Sequence, residues 1–144
     1  MNQVHSADVH EVQPVQRTSW LEPAAPTCDG LLDATGAQPL AVMVADCLPV
    51  LFVGRNSQSG QTLSAATHAG RRGLLDGILE NTVEALRAHG ADVMEAVIGP
   101  SICGRCYEVP EDMAQESEQL RPGIRTATRD RKSTRLNSSH PSIS

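Results

Sequence analysis

Aromatic side chains are nearly missing from this 144-residue sequence, which has only Trp20, Phe52 and Tyr107. A core must therefore be assembled from Leu, Val, Ile and Ala, which the 40% share of hydrophobic residues permits. Lysine is scarcer still, with Lys132 alone. Half of the basic side chains lie after residue 120, where Arg121, Arg125, Arg129, Arg131, Lys132 and Arg135 stand against one acid, Asp130. The rest of the chain carries a net charge of −10 against +5 for this stretch. An acidic body lacks the clustered cations that a phosphate backbone demands, which argues against nucleic acid as a partner.

No run of about eighteen apolar residues occurs, so no membrane-spanning helix is expected. The opening Met-Asn-Gln-Val-His has neither a basic run nor an apolar stretch of the kind that marks export, and this points to the cytoplasm. Cys28, Cys47, Cys103 and Cys106 are too few and too irregularly spaced for a disulfide framework. In a reducing compartment their thiols are available as metal ligands. The length suits one domain. From about Arg131 the text turns to Lys-Ser-Thr-Arg-Leu-Asn-Ser-Ser-His-Pro-Ser-Ile-Ser, unlike the Ala- and Arg-rich body. Residues 121–144 are expected to be a basic tail, disordered or non-native, following a body at 1–120.

Periodicity orders the body. Residues 2–12 read as a strand with a turn near Ser6–Asp8, and Cys28-Asp-Gly-Leu-Leu as a short strand entry in a loop-rich region. Two apolar runs, 40–45 and 50–53, predict buried strands separated by Asp46-Cys47-Leu48-Pro49. A third strand is expected over 63–67. Leu74, Leu75, Ile78, Leu79, Thr82, Val83 and Leu86 then recur at helical spacing, with Gly90 as the stop. Residues 93–98 return to strand character, and a second helix is expected from Pro110 to about Leu120. The pattern is an α/β chain with a mixed sheet.

The polar groups that interrupt these apolar segments are the candidates for chemistry. Cys47 follows Asp46 beside a predicted strand, and His68 lies where a strand gives way to a Gly-rich turn and a helix. Ligands favour such strand ends in α/β sheets. His5 is a third metal-capable side chain. Two His and one Cys make a zinc set that leaves a fourth position for water, the catalytic arrangement. Gaps of forty-two and twenty-one residues match no local zinc motif, so His and Cys here also read as ordinary packed residues. Cys103-Gly-Arg-Cys106 is a single CxxC and reads as a site-lining loop rather than a redox centre. Arg71 and Arg72, in the turn before the long helix, suit an anion such as phosphate or form a solvated pair.

Asn2-Gln3-Val4-His5, Ala45-Asp46-Cys47-Leu48-Pro49-Val50-Leu51, His68-Ala69-Gly70-Arg71-Arg72-Gly73, and Ile98-Gly99-Pro100 with Cys106-Tyr107-Glu108-Val109 together resemble one family. It is the laccase-domain family, labelled multicopper polyphenol oxidases and regarded as purine nucleoside phosphorylases. The four blocks occur in the family's order over about residues 2–120. The resemblance implies zinc bound by His5, Cys47 and His68, and a layered α/β/β/α sandwich with mixed sheets. It also implies phosphorolysis of adenosine, inosine, guanosine and methylthioadenosine, together with adenosine deamination. Purine nucleosides and phosphate would be the partners. Arg71 stands where the family usually has Trp. Family members extend beyond both ends of the matched region, so this chain is expected to be an incomplete, single-domain piece.

On that reading Cys47, His68, Asp46 and Arg72 are the catalytic candidates. Arg72 would position phosphate, and Asp46 would transfer protons or else cap its own backbone in a turn. Two alternatives belong to other classes. A copper polyphenol oxidase needs several coppers and many His ligands, and the sequence has five histidines. A catalytically inactive fragment is the other.

Overall fold

The computed structural model describes residues 1–14, 25–104, 106–126 and 134–136. The chain divides into two compact units, Met1–Gly99 and Pro100–Ser144.

The first unit is built on a five-stranded mixed sheet. Its strands are β1 (Val9–Glu11), β2 (Gly30–Asp33), β3 (Leu48–Arg55), β4 (Thr62–Ala69) and β5 (Val93–Ile98), in the order β1-β2-β4-β3-β5. β1 runs parallel to β2 and every other pair is antiparallel. β3 and β4 form a hairpin across the Asn56–Gly60 turn, in which Asn56 Oδ1 accepts from the backbone N–H of Gln58 and Ser59.

Alternation along β3 separates two faces. Leu48, Val50 and Phe52 are buried, and they join Leu63 and Ala65 of β4 and Leu32 of β2 in one core. Helices α1 (Arg71–Asp76) and α2 (Ile78–Ala88) cover this face, with Ile78, Leu79, Val83 and Leu86 supplying its other half. A buried Leu or Ile contributes about 1.5–3 kcal/mol, so these positions dominate the unit's stability. One polar clamp crosses the interface: Thr82 donates to the Ile78 carbonyl at 2.7 Å and meets Thr67 Oγ1 of β4 at 3.1 Å. The opposite face is open and apolar. Leu51 and Val53 of β3 and Val93 and Val97 of β5 are each more than half exposed.

Three expectations are corrected here. The helix predicted across 74–86 is two helices, because Gly77 takes the left-handed conformation (φ 96°) and its N–H caps α1 on the Gly73 carbonyl. α2 does end at Gly90 (φ 90°), with Gly90 N–H on Arg87 O and Ala91 N–H on Leu86 O. The apolar run 40–45 is not a buried strand. It has no ladder, Met43 is 83% exposed, and the Gln3 side chain takes the place of a strand partner. Gln3 Nε2 donates to Met43 O at 2.7 Å and Gln3 Oε1 accepts from Met43 N at 2.9 Å. The N-terminal strand is likewise shorter than 2–12, reduced to β1 and a bridge between Asn2 and Thr27.

In the second unit, β6 (Glu108–Val109), β7 (Arg125–Thr126) and β8 (Thr134–Leu136) form an antiparallel sheet, ordered β6-β8-β7. α3 (Glu111–Leu120) starts from Pro110, as expected. Val109 and Ala114 are buried among Tyr107, Met113 and Ile124. Of the predicted tail, 127–133 and 137–144 lie outside the described residues. Among the described residues no helix is long and apolar enough to cross a membrane.

Candidate metal centre

Thr67 of β4 faces the helices, so His68 points to the opposite, open face of the sheet, beside its register partner Pro49. The segment Asn2–Ser6 closes over this position. His5 takes a left-handed backbone (φ 61°), unusual for a residue with a side chain. Its ring reaches His68 edge-on, at 4.8 Å between centroids. Cys47 enters from the bend before β3, with Sγ 3.8 Å from His5 Nε2.

The ligand atoms of His5, Cys47 and His68 all lie within 4.8 Å of one another. Tetrahedral zinc with ordinary bond lengths sets nitrogen and sulfur ligands about 3.6 Å apart, close to the 3.8 Å between Cys47 Sγ and His5 Nε2, so the donor set suits such an ion once the three groups draw together. His68 is buried, Cys47 half-buried and His5 exposed, which leaves the group accessible from one side. Burial pushes the Cys47 thiol up, and the charges of Asp46 and Asp29 add to the effect. A cation at this point would offset all three influences by favouring the thiolate.

One residue here was not among the candidates read from the sequence. Asp29, fully buried, makes a 2.7 Å hydrogen bond from Oδ1 to His68 Nδ1. Its Oδ2 accepts from Val4 N (3.1 Å), Ser6 N (2.7 Å) and Ser6 Oγ (3.0 Å). Burial opposes the charge, yet the hydrogen bonds from His68, Ser6 and Val4 hold the Asp29 carboxyl down at about 2. Only the apolar Cys28-Asp-Gly-Leu-Leu setting marked it, as a carboxylate entering a strand.

Asp46 is exposed and adjoins Cys47 in the chain. Arg72 is in the first turn of α1, where its Nε donates to Asp76 Oδ2 at 2.8 Å. The two thiols of the CxxC belong to the second unit, with Cys103 Sγ 3.2 Å from Cys106 Sγ.

Fold and site define an α/β protein whose mixed sheet carries a two-histidine, one-cysteine group able to hold a metal ion. The chain belongs to the family described as multi-copper polyphenol oxidoreductase laccase, whose profile matches residues 1–141. A purine nucleoside phosphorylase of Streptomyces coelicolor is 42% identical over 130 residues, covering 89% of this chain and 50% of that protein. A purine nucleoside phosphorylase of Mycobacterium tuberculosis is also 42% identical over 130 residues, covering 89% of this chain and 48% of that protein. Among solved structures, a Neisseria meningitidis protein superposes with a TM-score of 0.71 at 31% identity, over 95% of this chain and 53% of that one. YlmD of Geobacillus stearothermophilus gives 0.72 at 28% identity, over 94% and 52%. The chain thus spans about half the length of the curated relatives it matches.

Proposed function

We propose that the protein is a zinc-dependent, cytoplasmic purine nucleoside phosphorylase. It would act on adenosine, inosine, guanosine and methylthioadenosine with phosphate, and would also deaminate adenosine. The observation that carries this reading is the convergence of His5, Cys47 and His68 from three separate segments onto one point. The relatives named purine nucleoside phosphorylases supply the substrate class. Zinc is the metal that a two-nitrogen, one-thiolate set with room for a further ligand suits best, and when bound it lowers the pKa of a coordinated water to about 7 or polarises a substrate atom.

Around it the chain's own residues have distinct tasks. Arg72 holds phosphate against the ribose C1′, so that a C–O bond forms as the bond from C1′ to N9 breaks. Asp46 moves the proton, onto the departing purine in phosphorolysis, or, in deamination, from a water whose oxygen adds to C6 onto the amino nitrogen, which leaves as ammonia. The open apolar face bearing Leu51, Val53, Val93 and Val97 supports a layered α/β/β/α sandwich for the relatives' full length, with a second sheet packed on it.

The test is direct. The purified chain is analysed for metal and incubated with adenosine and phosphate. One zinc per chain with ribose-1-phosphate, adenine and hypoxanthine as products is the expected result, and Cys47→Ala should abolish both metal and turnover. Several coppers per chain with phenol oxidation would establish the copper oxidase reading. Bound zinc without turnover would mark this chain as an inactive portion.

A further inference from the structure

We infer that Asp29 is the positioning residue of the centre, the single group that fixes both of its histidines. The inference rests on the metal-site reading for its purpose, but its structural content concerns the protein without metal.

Begin with His68. Asp29 Oδ2 takes three donors, Val4 N, Ser6 N and Ser6 Oγ, which orients the carboxyl group so that its Oδ1 faces His68 Nδ1 as an acceptor at 2.7 Å. His68 Nδ1 must then carry the proton, and the lone pair sits on Nε2, on the side of His5 and Cys47. The main chain reinforces the pairing, because His68 N donates to Asp29 O at 2.7 Å.

Now take His5. It is the one non-glycine residue among those described with a positive φ, at 61°. Such a conformation persists only where its surroundings over-determine it. The two N–H groups that flank it in sequence, those of Val4 and Ser6, converge on the same oxygen of Asp29. One buried carboxylate therefore pins the residue on each side of His5 with one oxygen and the tautomer of His68 with the other.

This dual role makes a sharp prediction for Asp29→Asn, which keeps the shape and loses one acceptor. If the amide oxygen faces the N-terminal segment, the NH2 group donates to His68 Nδ1 and moves the proton to Nε2, blocking that ligand. If the oxygen faces His68, the NH2 group meets the N–H groups of Val4 and Ser6, and the His5 turn is released. Either orientation costs one histidine.

The experiment uses the whole chain in two arms. Without metal, 15N shifts of the His68 ring report its tautomer: protonated Nδ1 is expected in the wild type, and a wild-type ring protonated at Nε2 would overturn the inference with no variant needed. With metal, chelator competition should show Asp29→Asn binding zinc about 10- to 100-fold more weakly. Unchanged zinc affinity in a folded Asp29→Asn protein would equally overturn it. Failure of the wild type to bind zinc would remove the metal reading, while the tautomer arm would still decide the role of Asp29.

Discussion

The imidazole of His5 lies directly on the α-carbon of Gly70, where a methyl group would come within 2.3 Å of Cδ2 and 3.1 Å of Nε2. Three residues on, a methyl on Gly73 would meet the Ser6 carbonyl oxygen at 2.5 Å. The two glycines of His68-Ala-Gly-Arg-Arg-Gly73 are thus the seat on which the His5–Ser6 segment rests. Gly70→Ala should push His5 out of the ligand set, weakening zinc binding at least about tenfold while the fold persists. Gly73→Ala meets backbone, which yields less readily, and should cost about 1–3 kcal/mol. Chelator competition and denaturant unfolding of the two variants separate these effects. Equal zinc affinity in Gly70→Ala would show that the contact is not needed.

Short apolar runs placed β3, β4 and β5, helical spacing placed α2, and Pro110 marked the start of α3. The apolar pattern failed at Gly77 and at 40–45, where a glycine torsion and the Gln3 side chain override an apolar run. His5, Cys47 and His68 are separated by gaps that match no local motif; their places beside predicted strands made them candidates, and the resemblance made them the expected zinc set. Asp29 was missed for a related reason: its partners lie 23, 25 and 39 residues away, and their relation exists only once the sheet and the N-terminal segment have come together. Spacing within one segment cannot reveal an acceptor shared by three.

Thr67 and Thr82 are both fully buried, and their hydroxyls join β4 to α2. Because Thr82 donates to Ile78 O, the proton between the two hydroxyls comes from Thr67. Thr82→Val strands the Thr67 donor and should cost about 1–3 kcal/mol. The double variant Thr67→Val/Thr82→Val removes both polar groups and should cost less than the sum of the singles. Urea unfolding of the four proteins measures the coupling, and strict additivity would mean that the pair does not act as a unit.

Asp33, like Asp29, contributes to the pH dependence of the fold. It is fully buried in β2, and burial opposes its charge. Hydrogen bonds from Thr35, Gln38 and Ala37 nevertheless hold its carboxyl below the ordinary value. A carboxylate depressed in the folded state contributes stability above its unfolded value of about 3.9, and that contribution is lost as pH falls through the folded value. Asp33→Asn should therefore be less stable than the wild type by about 1–3 kcal/mol near neutrality. The difference should narrow below about pH 4. Thermal unfolding of both proteins between pH 7 and 3 follows it, and a gap that is constant with pH would assign the loss to packing instead of charge.

Arg72 separates the two reactions proposed for this centre. Its side chain is 71% exposed and pairs with Asp76, 43% exposed, one helical turn away. Such a pair is worth about 0–1 kcal/mol, so Arg72→Ala should leave the unfolding midpoint almost unchanged. Its proposed task is to hold phosphate, which enters phosphorolysis and has no part in deamination. Arg72→Ala should therefore raise KM for phosphate about tenfold or more and leave adenosine deamination untouched. Arg72→Lys, which keeps the charge and loses the planar fork, should fall between. Parallel assays of ribose-1-phosphate and ammonia release check the split. A loss shared equally by both products would place Arg72 in the structure of the centre, and no loss in either would leave phosphate to another residue.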